Sequence, residues 1–228
     1  MIHFQILPLV FALLILSTWL TVLAISLSGN ITWWAPLQVA FIAYVYTGLF
    51  ITAHDAMHGT VVRSKRGNTI VGTICAVLYA GMNYGRLYRN HHLHHAHPAD
   101  DHADPDYHPS NNLIVWYLTF MWRYTTISQL FIMAVAFNVL KIWVAEPKLW
   151  LFWILPAFLS SFQLFYVGTY RPHRMPQRPA LPHNARTMRR NHVVAMLTCY
   201  FFGYHQEHHL SPGTPWWRLW RMKDAARG

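Results

Sequence analysis

The first 54 residues contain no Asp, Glu, Lys or Arg, and this uncharged stretch strongly limits what the chain can fold into. Two membrane-spanning helices of about 20 residues each fit within it. A cleaved signal peptide is the alternative, but no basic segment precedes the apolar run, and the run is too long. Only 11% of the 228 residues are charged, whereas soluble domains average about 25%. We therefore expect an all-α integral membrane protein that forms one domain over residues 1–228.

The hydrophobic pattern predicts four transmembrane helices in this domain. The predicted spans are residues 4–27, 33–53, 124–144 and 149–169. The apolar run at 69–82 is too short to cross a bilayer and indicates an interfacial or re-entrant segment. The 11 Trp and 12 Tyr residues suit the aromatic belts that form at membrane interfaces.

The distribution of basic residues predicts the orientation in the membrane. The formal net charge is +10, and 16 of the 18 Lys and Arg residues lie in 63–123 or 171–228. Because basic loops concentrate on the cytoplasmic side, this placement favours a topological role over nucleic-acid binding. We expect a multi-pass protein of a bacterial inner membrane with both stretches in the cytoplasm. Cys75 and Cys199 lie in apolar runs, so no disulfide is expected.

Eight of the 16 histidines form three short motifs, one spaced H-x-x-x-H and two spaced H-x-x-H-H. The members are His54 and His58; His91, His94 and His95; and His205, His208 and His209. Residues three and four apart share one face of a helix, so each motif directs its imidazoles together. Imidazole binds iron, zinc, copper and nickel, and eight imidazoles are more than one ion needs. The motifs predict a two-metal enzyme site at the cytoplasmic face, without distinguishing iron from zinc.

Together with their flanking sequences, these motifs resemble the membrane fatty acid desaturase and hydroxylase superfamily, and more narrowly the bacterial β-carotene 4-ketolases. The matching segments are Phe50–Gly59, Asn90–His95, Gly168–Arg174, His183–Arg186, Phe202–His209 and Pro215–Leu219. The chain departs from the family at Phe201 and Gln206, where histidine is frequent, and at Trp220, where proline is usual. None of these departures removes a motif histidine.

The resemblance implies two iron ions, O2 as co-substrate and electrons from a separate ferredoxin-like protein. It also implies one more histidine ligand between the fourth span and the last motif. His173 is our first choice because it directly follows that span, and His183 is the alternative. His92 lies about 100° from His91 on a helix, so we expect it to contact the ligand histidines rather than the metal.

Four carboxylates accompany the histidines. Asp55 and Glu207 lie inside motifs and are candidates to orient ligand imidazoles, as carboxylates commonly do; a solvated helix surface is their alternative role. Asp104 and Asp106 match the D-P-D string of the family, and we expect Asp106 to be functional. The alternative for this pair is turn and cap chemistry around Pro105.

The function implied by the resemblance is oxidation of the 4-methylene of carotenoid β-rings to a ketone. Two hydroxylations would give a gem-diol that loses water, and the substrate would enter from the bilayer between spans. The basic stretch 171–190 would attract an acidic electron donor or contact lipid headgroups. A fatty acyl desaturase or another lipid hydroxylase is the alternative enzyme. A metal transporter is the alternative of another class, but transporters place polar ligands near the bilayer midplane.

Overall fold

All regular secondary structure is helical in the part of the chain that the computed structural model describes, residues 3–174 and 182–225. The principal helices are α1 (His3–Ser28), α2 (Ala35–Met57), α3 (Lys65–Ala80), α4 (Tyr84–Ala96), α5 (Leu113–Tyr124), α6 (Ile127–Leu140), α7 (Glu146–His173), α8 (His192–Cys199), α9 (His205–Leu210) and α10 (Leu219–Ala225). Short 3-10 turns cover Pro182–Asn184 and Trp216–Arg218. The predicted all-α fold is confirmed for these residues.

Three helices are long and apolar enough to cross a membrane, namely Ile6–Ser28 within α1, the whole of α2, and α7. Their lengths of 23, 23 and 28 residues correspond to roughly 35–42 Å at 1.5 Å per residue. α2 is the central helix: it packs against α1, α3 and α7, and its Leu49 and Ile51 are fully buried. α1 is peripheral, with Leu13 and Ile25 more than half exposed. The exposed apolar side chains give the bundle a surface suited to lipid.

The predicted third span, 124–144, is a shorter helix than expected. α6 has 14 residues, or about 21 Å, against a hydrocarbon core of about 30 Å. It begins where Thr126 and Gln129 form a capping box, and its last residue precedes a turn at Lys141. Residues 124–144 are mostly apolar on both sides of the helix ends, so hydropathy alone merged the helix with its flanking turns.

α3 and α4 are placed by their caps and by one close approach. The side chains of Ser64 and Asn83 accept hydrogen bonds from the first turns of α3 and α4. Gly72 of α3 lies so close to the Tyr84 ring that a Cβ at Gly72 would be 2.1 Å from it. Gly81 ends α3 in a left-handed conformation with φ of 64°. These features turn the chain sharply and return α4, with the second histidine motif, to the end of α2.

α7 contains two π-helical turns, Trp150–Ile154 and Tyr166–Tyr170. Each lies just before a proline, Pro156 or Pro172. Proline lacks a backbone N–H and its ring clashes with the preceding helical turn, which accounts for the wider turn. Because one extra residue rotates everything that follows by about 100°, the second π turn resets the direction of His173 at the end of α7.

Two buried carboxylates fasten the C-terminal segment to the helices that carry histidine motifs. Asp55 in α2 accepts a hydrogen bond of 3.0 Å from the backbone N–H of Trp216. Glu207 in α9 accepts one of 3.1 Å from Lys223 and one of 2.5 Å from the Thr187 hydroxyl. The side chains of Lys223 and Glu207 are only 8% and 6% exposed. The ion pair therefore holds α10 against α9 out of contact with water.

We expect Lys223→Met to destabilise the protein because it leaves the Glu207 carboxylate buried without its charged partner. Breaking a buried pair costs about 3–5 kcal/mol, or roughly 6–20 °C in the thermal midpoint of a chain this long. The midpoint is measured on detergent-solubilised protein. Replacing both partners, as Lys223→Met with Glu207→Gln, should recover much of the loss. Lys141→Met is the matched control, since Lys141 and Glu146 form an ion pair that is 49% and 43% exposed; an equal loss there would contradict the assignment.

Candidate metal centre

Four helices bring the nine predicted ligand histidines together at one end of the bundle. They are His54 and His58 from α2 and its C-terminal cap, His91, His94 and His95 from α4, His173 from α7, and His205, His208 and His209 from α9. Most of these side chains are buried, and the rest are partly buried. The motifs are therefore far apart in sequence but form one cluster in space.

The first group within this cluster consists of His54, His58, His91 and His208. One nitrogen from each lies within 4.8 Å of the others. The Nε2 atoms of His58 and His91 are 2.7 Å apart, and those of His54 and His208 are 3.2 Å apart. The group thus combines residues of all three motifs.

The second group consists of His94, His173, His205 and His209, and its ligand atoms also lie within 4.8 Å of one another. Nε2 of His205 is 2.9 Å from Nε2 of His173 and 3.0 Å from Nε2 of His209. Nε2 of His94 is 3.1 Å from Nε2 of His209. The histidine that follows α7 therefore belongs to a four-imidazole group that is buried throughout.

His95 lies between the two groups. Its Nε2 atom is 2.9 Å from Nε2 of His208 in the first group. Its ring stacks on His209 of the second group with 4.3 Å between ring centroids. The two groups are therefore adjacent, and His95 contacts both of them.

The spacing of the nitrogens fits metal coordination. A metal bound 2.0–2.1 Å from imidazole nitrogens places neighbouring ligand nitrogens at about 2.8–3.4 Å, for ligand angles from 90° to tetrahedral. Five of the Nε2 separations within the two groups, from 2.7 to 3.2 Å, are close to this range, and all candidate ligand atoms of each group lie within 4.8 Å of one another. Two groups of four imidazoles suit two transition-metal ions, and the donor set is compatible with iron.

Burial keeps the imidazoles in the form that binds metal. It lowers the pKa of His91, His205 and His208 well below the usual value, and neighbouring imidazoles lower each further. The pKa of the His58 imidazole falls to about 4 for the same reasons. Neutral imidazoles offer their Nε2 lone pairs, so these residues need not lose a proton before they bind a metal.

Asp104 holds the outer nitrogen of His94. Its Oδ2 atom is 2.9 Å from Nδ1 of His94 and accepts a bond of 2.8 Å from the Ala99 N–H. Burial by itself would lower the pKa of His94, but the hydrogen bond and charge of Asp104 raise it above the usual value. A carboxylate in this position fixes the ring orientation and leaves Nε2 directed at the metal group.

Asp106, which we expected to be functional, lies beside this pair. Its backbone N–H donates to Asp104 Oδ1 at 2.8 Å, and its side chain accepts a hydrogen bond from the Tyr124 hydroxyl. Its Oδ2 atom is 4.0 Å from Nδ1 of His94, too far for a hydrogen bond. Burial raises the pKa of the Asp106 carboxyl above its usual value. Asp104 is thus the direct partner of His94, and Asp106 is its neighbour.

Asp55 and Glu207, the two carboxylates inside histidine motifs, make contacts other than the expected ones with ligand imidazoles. Asp55 Oδ1 is 3.6 Å from Nδ1 of His54, beyond hydrogen-bond distance. Glu207 contacts Lys223 and Thr187, because it lies about 200° around α9 from His205. Among the described residues, neither carboxylate hydrogen-bonds an imidazole. Their contacts tie the C-terminal segment to the motifs.

His92 and His183 lie outside the two groups. His92 is exposed, and its Nδ1 atom is 2.8 Å from the Tyr88 carbonyl oxygen on its own helix. His183 is also exposed, and its ring centroid is 5.6 Å from that of His209. His173, our first choice, is by contrast only 1% exposed.

Sequence reasoning missed the groups that orient His173 and Asp106. The Asn184 carbonyl oxygen lies 3.0 Å from Nδ1 of His173, and the Asn184 side chain donates to the Pro98 carbonyl at 3.1 Å. Tyr124, the donor to Asp106, ends α5. No motif marks either residue; for Asn184 the available signal was its place in the family-like segment His183–Arg186.

An apolar cavity of about 580 Å³ leads from the histidines along α7. His54, His91, His94 and His205 line its inner end, together with Asp106 and Tyr124. The lining reaches from Thr169 to Trp150 on α7, a span of roughly 28 Å at 1.5 Å per residue. The cavity is therefore long and ends at the metal-binding side chains.

The cavity opens between α6 and α7. Leu130 of α6 and Phe158 of α7 both line it, and they are 60% and 56% exposed. Neighbouring exposed residues on this side are also apolar, including Phe131 and Leu155. An elongated apolar molecule can therefore pass from a lipid phase to the histidines.

Comparison with known proteins identifies the family. A family model described as "Fatty acid desaturase" matches residues 31–144 and 120–228. The chain is 41% identical over 214 residues to a zeaxanthin 4-ketolase of Chlamydomonas reinhardtii, covering 90% of this chain and 48% of that protein. It is 40% identical over 183 residues to a β-carotene ketolase of Paracoccus sp. (strain N81106 / MBIC 01143), covering 78% of this chain and 74% of that protein.

A more distant relative is named for a different activity. The chain is 27% identical over 238 residues to a dihydrorhizobitoxine desaturase of Bradyrhizobium elkanii. The chain spans about half the length of the Chlamydomonas relative and 58% of a β-carotene 4-ketolase from Haematococcus lacustris. The family model and the Paracoccus relative show that the chain belongs to the fatty acid desaturase family, within which it is similar to carotenoid ketolases.

Proposed function

We propose that this protein is a carotenoid β-ring 4-ketolase, acting as one membrane domain. The observation that carries the proposal is the long apolar cavity that ends at two four-histidine groups. The similarity to ketolases that are named for zeaxanthin and β-carotene supports the same substrate class. The ring would reach the histidines while the rest of the molecule occupies the cavity along α7.

The residues present fit a pair of iron ions that would activate O2 with electrons from a donor protein. The first group would be His54, His58, His91 and His208, and the second His94, His173, His205 and His209, with His95 between them. Asp104 and the Asn184 carbonyl hold the outer nitrogens of His94 and His173. The apolar lining of the cavity excludes water from the reacting carbon.

The reaction would convert a ring methylene to a ketone in two oxidations. Each consumes one O2, two electrons and two protons, inserts one oxygen into a C–H bond and releases one water. The resulting gem-diol loses a further water to give C=O. The cavity walls would hold the same carbon beside the histidines for both oxidations.

We infer four membrane crossings, with the histidines at the cytoplasmic face. α2 and α7 both end at the histidine groups, so both cross in the same direction. The chain between them must therefore return to the opposite face, and α6 is the segment available. Its start lies near the histidines, where the preceding Tyr124 bonds Asp106, and its Phe137 packs on Trp150 at the far end of α7. Together with the neighbouring turn, α6 would make the shorter crossing, in a bacterial inner membrane.

An acidic, ferredoxin-like electron donor would approach the basic side of the histidine groups. Arg171, Arg174 and Arg189 are exposed there, and complementary charge accelerates such encounters. Residues 175–181 of the predicted basic stretch lie outside the described residues. On the same stretch, the ring of exposed His183 lies 5.6 Å from that of His209, centroid to centroid.

We expect His94→Ala to abolish ketone formation in bacteria that accumulate β-carotene. The change removes a member of the second group and leaves Asp104 without its imidazole partner. Pigments are separated by chromatography with absorbance and mass detection, and membrane-inserted protein is quantified alongside. His102→Ala, an exposed histidine in the nearby loop, is the control and should retain activity. Normal ketone yield from His94→Ala would refute the site.

Asp104→Asn should lower iron retention and both oxidations by about 10–100-fold, the usual effect of losing the partner of a ligand histidine. Iron per chain and product formation are measured on the same purified sample. Asp101→Asn makes the same chemical change at an exposed position of the same loop. Equal iron retention in the two variants would show that Asp104 does not position His94.

The topology is tested by cysteine labelling in intact cells. Ala145→Cys, in the turn before α7, should react with a membrane-impermeant thiol reagent because that turn would face the periplasm. Arg189→Cys should react only after the membrane is permeabilised. Both positions are exposed, whereas Cys75 and Cys199 are buried and give little background. The reverse pattern would place the histidines outside the cytoplasm.

A further inference from the structure

The inner end of the cavity carries one carboxylate oxygen that no group of the described chain satisfies. Asp106 and Tyr124 both line the cavity, and the Tyr124 hydroxyl donates to Asp106 Oδ1. The Oδ2 atom of Asp106 has Nδ1 of His94 at 4.0 Å, and no donor among the described residues lies within hydrogen-bond distance of it. The Asp106 side chain is 12% exposed, so this oxygen has access to the space where a ligand would lie.

Asp104, only two residues away in the same loop, has hydrogen-bond partners for both of its carboxylate oxygens. Its side chain is 0% exposed and accepts hydrogen bonds from the Ala99 N–H and the Asp106 N–H, besides its contact with His94. Buried polar groups are nearly always paired, because an unpaired one is costly in an apolar environment. Asp106 therefore has a spare acceptor site, at the place where an apolar substrate meets the histidines.

A hydrocarbon ring cannot use this acceptor, but its first oxidation product can. Hydroxylation of the ring methylene creates an O–H donor on the reacting carbon itself. We propose that Asp106 binds the hydroxyl of this 4-hydroxy intermediate, with Tyr124 holding the carboxylate in place. The proposal rests on the ketolase function proposed above and assigns Asp106 to the second oxidation.

This contact would orient the intermediate for the step that remains. With its hydroxyl bound to Asp106, the carbon presents its remaining C–H bond to the histidine groups. That C–H bond is broken and a second C–O bond forms, with one O2, two electrons from the donor and two protons from solvent consumed and one water released. The gem-diol then loses water to give the ketone, and Asp106 is unchanged. Because the hydrocarbon makes no such bond, Asp106 would favour the second oxidation over the first.

The test compares Asp106→Ala, Asp106→Asn and the wild-type protein, purified with iron. Without O2 or donor, equilibrium binding of the 4-hydroxy carotenoid and of the parent hydrocarbon is measured for each. We expect Asp106→Ala to weaken binding of the alcohol about tenfold or more, the usual value of a hydrogen bond to a charged acceptor. Hydrocarbon binding should change less than about twofold. Asp106→Asn should lie between, and it keeps the test valid if the alanine variant does not fold.

Turnover supplies a second readout, the ratio of hydroxy to keto product from the hydrocarbon. It should rise about tenfold in Asp106→Ala at unchanged iron content. Asp104→Asn is the matched control, because loss of its contact with His94 should depress both oxidations and iron together without changing the ratio. An unchanged ratio and unchanged alcohol binding in the Asp106 variants would overturn the proposal, as would a parallel loss of iron and both products. If the wild type oxidises no carotenoid, the proposed function itself fails.

Discussion

The packing of imidazoles edge to edge inside an apolar bundle is the constraint on which the rest of this structure depends. Each neutral imidazole has one donor and one acceptor nitrogen, yet in the two histidine groups Nε2 faces Nε2 at about 3 Å. Such atoms cannot all satisfy one another, and burying them unsatisfied is costly. A metal ion satisfies several at once. We therefore expect folding of this end of the bundle to be coupled to metal binding.

A different local backbone feature places each ligand-bearing segment at this site. A left-handed Gly59 turns the backbone just beyond α2, an Asn83 cap starts α4, and a π turn redirects the end of α7. The approach to α9 is the most strained, because Tyr200 and Phe201 both have positive φ. Packing holds this turn: Tyr200 stacks on Tyr44, and its hydroxyl lies over Gly48, which has no side chain. Strained backbone persists at functional sites where surrounding contacts determine it.

The sequence was most informative where the same type of side chain recurs at helical spacing. The eight motif histidines were identifiable from spacing, and His173 from the family-like segment that follows a span. The carboxylates were harder, because the partner of a carboxylate depends on contacts distant in sequence. Asp55 and Glu207 sit among histidines yet bind Trp216 and Lys223, which no local pattern reveals. The length of α6 was misjudged for the opposite reason: its bounds come from a local capping box that hydropathy does not register.

Discrimination between substrates must come from the cavity rather than from the histidines. A desaturase at 27% identity and ketolases near 40% match most of this chain, so the family alone does not fix the substrate. A cavity that is apolar along α7 selects for length and shape, since dispersion and exclusion of water act all along the chain of the ligand. It offers no hydrogen-bond partner to the hydroxyl of the alcohol, whose burial is then costly. Binding that hydroxyl requires a polar group within reach of the reacting carbon, and Asp106, held by Tyr124 beside His94, is a carboxylate in this position. One short loop thus contains two acids with separate tasks: Asp104 fixes an imidazole, and Asp106 is available to the substrate.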